Sequence, residues 1–172
     1  FKASSLASNG MVGINGMAGE QARQNAQVSY TTSGYAYLDT GEKKTNASAS
    51  SYGNSYTTSN VIGVAVDLDN LKIYFAKDNT WQNSGDPTSG ATGTGAAFTI
   101  LAASATPYGY YAFSCTDNTT GSSTWDVNFG NGYFGTTAVT SAEADGNGEG
   151  QFEYAPPTGY FALCTNNLGS ES

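Results

Sequence analysis

The chain of 172 residues contains no histidine and only two cysteines, and these absences exclude several kinds of chemistry. Without an imidazole, Ser-His-Asp and Cys-His catalytic arrangements are excluded, and so is any metal site that needs a histidine ligand. Two cysteines are too few for a four-cysteine zinc site. We predict no cofactor and no resident metal ion, and these absences exclude the metal sites that histidine or four cysteines would build.

Positive charge is scarce and confined to the first part of the chain. There are 6 Lys and Arg against 14 Asp and Glu, and the net charge is −8. All six basic residues precede position 78, whereas nine acidic residues lie from Asp78 onward. A polyanion is repelled by such a surface, and Lys43-Lys44 is the only adjacent basic pair. Nucleic acid is therefore not a predicted partner.

Long apolar runs are missing too. The longest, within 61–66 and 100–103, are far shorter than the roughly 18 residues that a membrane-spanning helix requires, so membrane insertion is not predicted. The first residues, FKASSLASNGMVGI, include neither an initiator Met nor the basic and apolar regions of a signal peptide. We expect the sequence to begin inside a longer chain.

Small polar residues and aromatic rings dominate what is present. Ser, Thr, Asn and Gly together number 77, while 12 Tyr, 8 Phe and 2 Trp supply enough large side chains for a folded core. Helical periodicity is nearly absent. The one segment of helix-friendly composition, 19–27, lacks a recurring apolar face and is expected to be a loop or a single turn.

Short runs rich in Val, Ile, Tyr and Phe, separated by small polar residues, predict strands. In VIGVAVDLDNLKIYFAK, two segments with period-two alternation flank Asp69-Asn70 and predict a tight hairpin. Eight or more short strands without intervening helices predict one all-β domain over 1–172, an antiparallel two-sheet jelly-roll-like β-sandwich with long Gly/Ser/Thr/Asn-rich loops. The other predicted strands are 11–14, 28–32, 35–38, 98–101, 110–115, 125–129 and 160–164.

The cysteines and the paired carboxylates are the residues that carry chemistry. Cys115 and Cys164 lie in predicted strands beside aromatic residues, which favours free buried thiols over a disulfide. Two closely spaced acids in a β-sandwich are compatible with a polysaccharide hydrolase, and loop oxygens with a calcium site. Polar turns are the favoured interpretation for both pairs of acids, Asp67 with Asp69 and Glu143 with Asp145.

Aromatic residues within polar segments are candidates for stacking on a ligand such as a sugar. By neighbourhood these are Trp81, Tyr108, Tyr110, Tyr111 and Tyr133. The alternative is that such rings fill the core or cover strand edges, as most do in a tyrosine-rich sandwich.

Two stretches suggest a family. The stretch ASSYGNSYTTSNVIGVAVDLDNLKIYFAKDNTWQNSGDPTSG resembles the SPRY core, in which a polar strand leads into an Ile-Gly-Val-Ala-x-Asp hairpin and a Phe-x-Lys-Asx-Gly-type turn. The ending, VNFGNGYFGTTAV through FEYAPPTGYFALCTNNL, is similar to the carboxy-terminal part of SPRY-like domains in bacteriophage virion and metagenomic phage proteins. Asp78-Asn79, in place of the usual Asn-Gly, and the Gly-rich segment 141–150 depart from that pattern.

The resemblance implies a concanavalin A-like sandwich that binds through its loops and has no known catalytic centre. Phe1-Lys2 is similar to the end of a family strand, so we expect the first strands to lie upstream. The implied function is a non-catalytic module of a phage virion protein, in tail, fibre or capsid decoration, at the virion or an extracellular surface. Its implied partners are other virion proteins, a second copy, or a host-surface glycan or protein. A glycan-binding lectin is the alternative, and a hydrolase the third.

Overall fold

The computed structural model describes residues 1–16, 28–117 and 121–168, and within them nearly all regular structure is antiparallel β. This confirms the predicted all-β class. The segment 19–27 lies outside the described residues. The strands are β1 (Lys2–Ser5), β2 (Met11–Asn15), β3 (Gly34–Leu38), β4 (Glu42–Thr45), β5 (Ser48–Ser51), β6 (Ile62–Asp67), β7 (Lys72–Lys77), β8 (Thr80–Trp81), β9 (Phe98–Thr99), β10 (Ala112–Thr116), β11 (Thr124–Asp126), β12 (Tyr133–Phe134) and β13 (Thr137–Ala138).

Two sheets hold most of these strands. The larger has the order β10-β2-β3-β4-β5, and the smaller has the order β6-β7-β8 with β9 also pairing with β7. The strand β1 pairs with β11, and β12 pairs with β13. Helical structure in the described segments is limited to short 3-10 turns at Gln82–Ser84, Pro87–Thr92, Ala103–Ala105 and Thr165–Leu168. None of them is long and apolar enough to cross a bilayer.

The hairpin predicted around Asp69-Asn70 is confirmed as β6–β7, in which Asp67 pairs with Lys72. Among the residues of its turn, Leu71 has a left-handed backbone, at φ 58°. The carboxylate of Asp67 accepts hydrogen bonds from Asn70 N at 2.8 Å and Nδ2 at 2.9 Å. Asp67 therefore holds the turn closed, as the polar-turn interpretation requires.

The β4–β5 hairpin escaped sequence analysis because its strands, EKKT and SASS, lack apolar alternation. It forms at the edge of the larger sheet through a two-residue turn, in which Asn46 and Ala47 have φ of 47° and 60°. Positive φ at both central residues is the geometry that matches the twist of the flanking strands. Asp78-Asn79 joins β7 to β8 in the same way, with φ of 45° and 64°.

Two predicted strands are wrong, because their backbone groups bond locally or to side chains. The 28–32 segment forms turns, in which Val28 N donates to Thr116 Oγ1 at 3.1 Å. In 160–164, Ala162 N donates to the Asp145 carboxylate at 2.8 Å and Cys164 N donates to Ala162 O. The predicted strands at 98–101, 110–115 and 125–129 exist in shortened or shifted form as β9, β10 and β11.

The main core lies between the two large sheets. Tyr37 of β3 stacks on Phe75 of β7, with ring centroids 5.5 Å apart and planes inclined by 29°. Both rings are fully buried, together with Val12, Ile14 and Ile73. The opposite face of β3 contributes to a second cluster made by Met11, Val28, Ala36 and Leu38. The period-two alternation of β3 thus divides its side chains between two apolar clusters.

Candidate functional site

An open groove of about 1200 Å³ runs along β6 and faces the 152–163 segment. At one end, Phe1 and Ile62 exchange two backbone hydrogen bonds, Phe1 N to Ile62 O at 2.9 Å and Ile62 N to Phe1 O at 2.8 Å. Beyond this pair, no other strand among the described residues joins β6 on that side. We call this feature the β6 groove.

The backbone of β6 presents a row of polar groups to the groove. Because Ile62 bonds outward to Phe1, its position opposite Lys77 is a non-hydrogen-bonded one in the β6–β7 ladder. Alternation then directs the N–H and C=O groups of Val64 and Val66 outward as well. The carbonyl of Ile73, which lies opposite Val66, accepts from Ala97 N instead, as this alternation requires.

Apolar side chains line the rest of the β6 groove. Phe129 lies edge-on to Phe1, with ring centroids 6.1 Å apart, and its ring lies 5.4 Å from that of Phe113. On the facing segment, Phe161 and Leu163 are 56% and 62% exposed. The groove therefore combines exposed hydrophobic walls with a strand edge that no described strand covers beyond Phe1.

The charged side chains along the β6 groove have one sign. Asp67, Asp69 and Glu153 line it, and no Lys or Arg is among the described lining residues. An apolar floor with an acidic rim favours a ligand that is apolar along its length and neutral or positively charged at its ends.

The aromatic residues proposed from sequence do not converge on one site. Trp81 lines the β6 groove, but its ring packs edge-on to that of Tyr74, with centroids 6.5 Å apart. Tyr108 and Tyr110 lie outside the groove as an exposed pair with centroids 6.4 Å apart. Tyr133 is exposed on the β12–β13 hairpin.

Tyr111 also lines the β6 groove, but its hydroxyl is already used. It donates to Leu101 O at 3.1 Å, and burial, with a smaller contribution from Tyr35, raises the pKa of the phenol well above its usual value. Sequence analysis missed Phe129, Phe161 and Leu163 as groove residues because each lay in a predicted strand. The sequence PPTGY just before Phe161 argues against a strand there, since Pro and Gly interrupt strands.

Asp145 is the most heavily hydrogen-bonded carboxylate near the groove. Its Oδ1 accepts from Asn147 N and Glu149 N at 2.9 and 3.0 Å, and its Oδ2 accepts from Ala162 N and Asn167 Nδ2 at 2.8 and 2.7 Å. The Ala162 amide, with the other donors, lowers the pKa of this carboxyl to about 2. Asp145 therefore organises the loop and does not present a free oxygen to a ligand.

Among the described residues, the remaining reactive groups do not come together in one site. Cys115 and Cys164 are free thiols, and both are half-buried where full burial was predicted. Burial raises the pKa of the Cys115 thiol, which disfavours the nucleophilic thiolate. Within residues 1–16, 28–117 and 121–168, no three His, Cys, Asp or Glu side chains lie close enough to hold a metal ion.

Comparison with known proteins gives no assignment beyond this geometry. No family model matches the chain. None of the curated proteins is significantly similar to it in sequence.

Proposed function

We propose that the chain is a non-catalytic binding module that holds a partner protein in the β6 groove. The observation that carries this proposal is the exposure of Phe161 and Leu163 beside the strand edge of Val64 and Val66. Clustered large apolar side chains on a surface mark interaction sites. The use of Asp145 as a hydrogen-bond acceptor for four donors supports the non-catalytic part.

The wider setting that we propose is a phage virion protein, in tail, fibre or capsid decoration, acting in adhesion or subunit assembly. It rests on the order of the SPRY-like segments between residues 49 and 168. The core shared by the two sheets supports the finer jelly-roll-like sandwich of that family. Immunogold electron microscopy of intact particles tests the setting: label on particles is expected, and protein found only in host cytosol would exclude it.

The groove walls give the first prediction. The double variant Phe161→Ser with Leu163→Ser is expected to bind particles at least about tenfold more weakly, because truncation of the few residues that dominate an interface costs about 2 kcal/mol or more. Co-sedimentation with particles measures it. The control is Leu101→Ser, an exposed apolar residue outside the groove. Equal binding by the double variant and the parent would contradict the proposal.

A glycan-binding module is the second candidate, and the exposed Tyr108–Tyr110 pair is the observation that favours it. Aromatic faces of this kind stack on sugar rings. If glycan is the ligand, Tyr108→Ala and Tyr110→Ala each abolish signal on a glycan array, whereas Tyr133→Ala, at a separate exposed tyrosine, does not. An array without signal for the parent protein excludes this candidate.

A further inference from the structure

Asparagine is followed directly by glycine at four places in the chain, at Asn9, Asn15, Asn131 and Asn147. In such a pair the backbone nitrogen of glycine is placed to attack the side-chain amide carbon of the asparagine, and glycine has no Cβ atom to hinder the attack. The fold selects which pair reacts, because a nitrogen or an amide that is hydrogen-bonded has to be released by local opening first.

Hydrogen bonds hold three of the four Asn-Gly pairs. In each of them the glycine nitrogen donates to a backbone carbonyl: Gly10 to Ala7 O at 3.3 Å, Gly16 to Ser33 O at 3.0 Å, and Gly148 to Asp145 O at 3.0 Å. Asn15 is also buried, with 6% of its surface exposed. The Asn147 side chain donates to Asn167 Oδ1 at 2.8 Å. Attack in these pairs therefore requires that native hydrogen bonds break.

Neither reacting group of the fourth pair, Asn131-Gly132, is held in this way. The Asn131 side chain is exposed and makes no hydrogen bond to a described residue. The carbonyl of Gly132 accepts from Val139 N at 2.9 Å, but the Gly132 nitrogen donates to none of the described groups. Gly132 packs against the side chain of Gln151, an exposed and flexible residue. The pair reacts without the loss of a native hydrogen bond from either group.

We infer that Asn131 is a site of spontaneous deamidation, at which the folded protein converts asparagine into aspartate and isoaspartate. The Gly132 nitrogen gives its proton to a base in solution and attacks Asn131 Cγ. A bond forms between these two atoms, the bond from Cγ to Nδ2 breaks, and ammonia leaves with a proton. Water then opens the succinimide ring at one of its two carbonyl carbons. No oxidant or reductant takes part.

The two products change the segment between the β6 groove and the β12–β13 hairpin. Both carry a new negative charge two residues after Phe129, which lines the groove. Isoaspartate also adds a methylene group to the backbone next to Gly132. We therefore expect the isoaspartate form to lose the hydrogen bond from Val139 N to Gly132 O. This inference does not depend on the proposed function.

The test incubates the parent protein in mildly alkaline buffer and follows each Asn-Gly peptide by mass spectrometry, where deamidation is a gain of about 1 Da. In the native protein, the Asn131 peptide is expected to gain this mass at least about tenfold faster than the peptides with Asn9, Asn15 and Asn147, because only those three lose a hydrogen bond before attack. In protein unfolded by urea, all four peptides are expected to react at comparable rates.

The control variant is Asn131→Gln, because the longer side chain has to close a less favourable six-membered ring. It is preferred to Gly132→Ala, which places a side chain at φ 80°. The variant is expected to lose the mass gain at this peptide while the other three peptides react as in the parent. Two outcomes overturn the inference: an Asn131 peptide that reacts no faster than the other three in the native protein, or the same ratio of rates in native and unfolded protein.

Discussion

Replacement of Gly13 by alanine is expected to prevent stable folding. Gly13 lies in the centre of β2, paired with Ala36 of β3, and a Cβ atom there would be 1.8 Å from the carbonyl oxygen of Tyr35. That oxygen belongs to the backbone of a buried central strand, so the two strands have to separate. We expect a loss of more than about 3 kcal/mol in the free energy of unfolding, measured by urea denaturation followed by circular dichroism.

Gly146→Ala is the matched control, because a Cβ atom at that position has no neighbour within 4 Å. Its free energy of unfolding is expected to stay within about 0.5 kcal/mol of the parent value. If the free energy of unfolding of Gly13→Ala lies within about 1 kcal/mol of the parent value, the close approach of β2 and β3 is wrong.

Replacement of Asp145 by asparagine is expected to remove a stabilisation that depends on pH. Its folded-state pKa of about 2 lies below the ordinary value of 3.8 for an aspartate side chain. Its contribution is therefore fully present above the unfolded value, and it is lost as pH falls from about 4 through about 2. The variant places an NH₂ group where hydrogen-bond donors converge, so its melting temperature is lower at neutral pH and depends less on pH in this window.

Thermal melting between about pH 6 and about pH 2 measures this difference. Glu149→Gln is the control, because it removes a carboxylate from the same loop. The Glu149 carboxylate accepts a hydrogen bond from Asn166 Nδ2 at 3.2 Å, and this bond is exposed to solvent. The control is expected to keep the acid sensitivity of the parent protein. An Asp145→Asn protein that loses stability in acid as steeply as the parent would exclude this role.

Sequence analysis succeeded where alternation and turn chemistry agree. The β6–β7 hairpin has apolar residues at every second position on both sides of a polar turn, so local pattern alone predicts it. The Ser48–Ser51 strand has no such pattern. Its conformation is determined by pairing with β4 and by the Asn46-Ala47 turn, so its own residues do not predict it. The 160–164 segment is apolar enough for a strand. Its Ala162 N–H, however, donates a hydrogen bond to the Asp145 carboxylate, and not to a neighbouring strand.

The candidate site was less predictable than the fold. Sequence candidates Trp81 and Tyr111 line the β6 groove, but Tyr108, Tyr110 and Tyr133 lie outside it. The groove depends on which strand ends up at a sheet edge, and on the approach of Phe129 and Phe161 from distant parts of the chain. Residue composition does not encode either property locally, because both arise from strand pairing over long sequence separations.

The proposed function requires that the partner covers the β6 groove. Amide hydrogen exchange of the protein bound to intact particles, compared with the free protein, measures this directly. The predicted result is slowed exchange at Val64 and Val66 and in the 161–163 segment, with Tyr108 and Tyr110 unchanged. Protection centred on Tyr108 and Tyr110, with β6 exchanging as in the free protein, would contradict it.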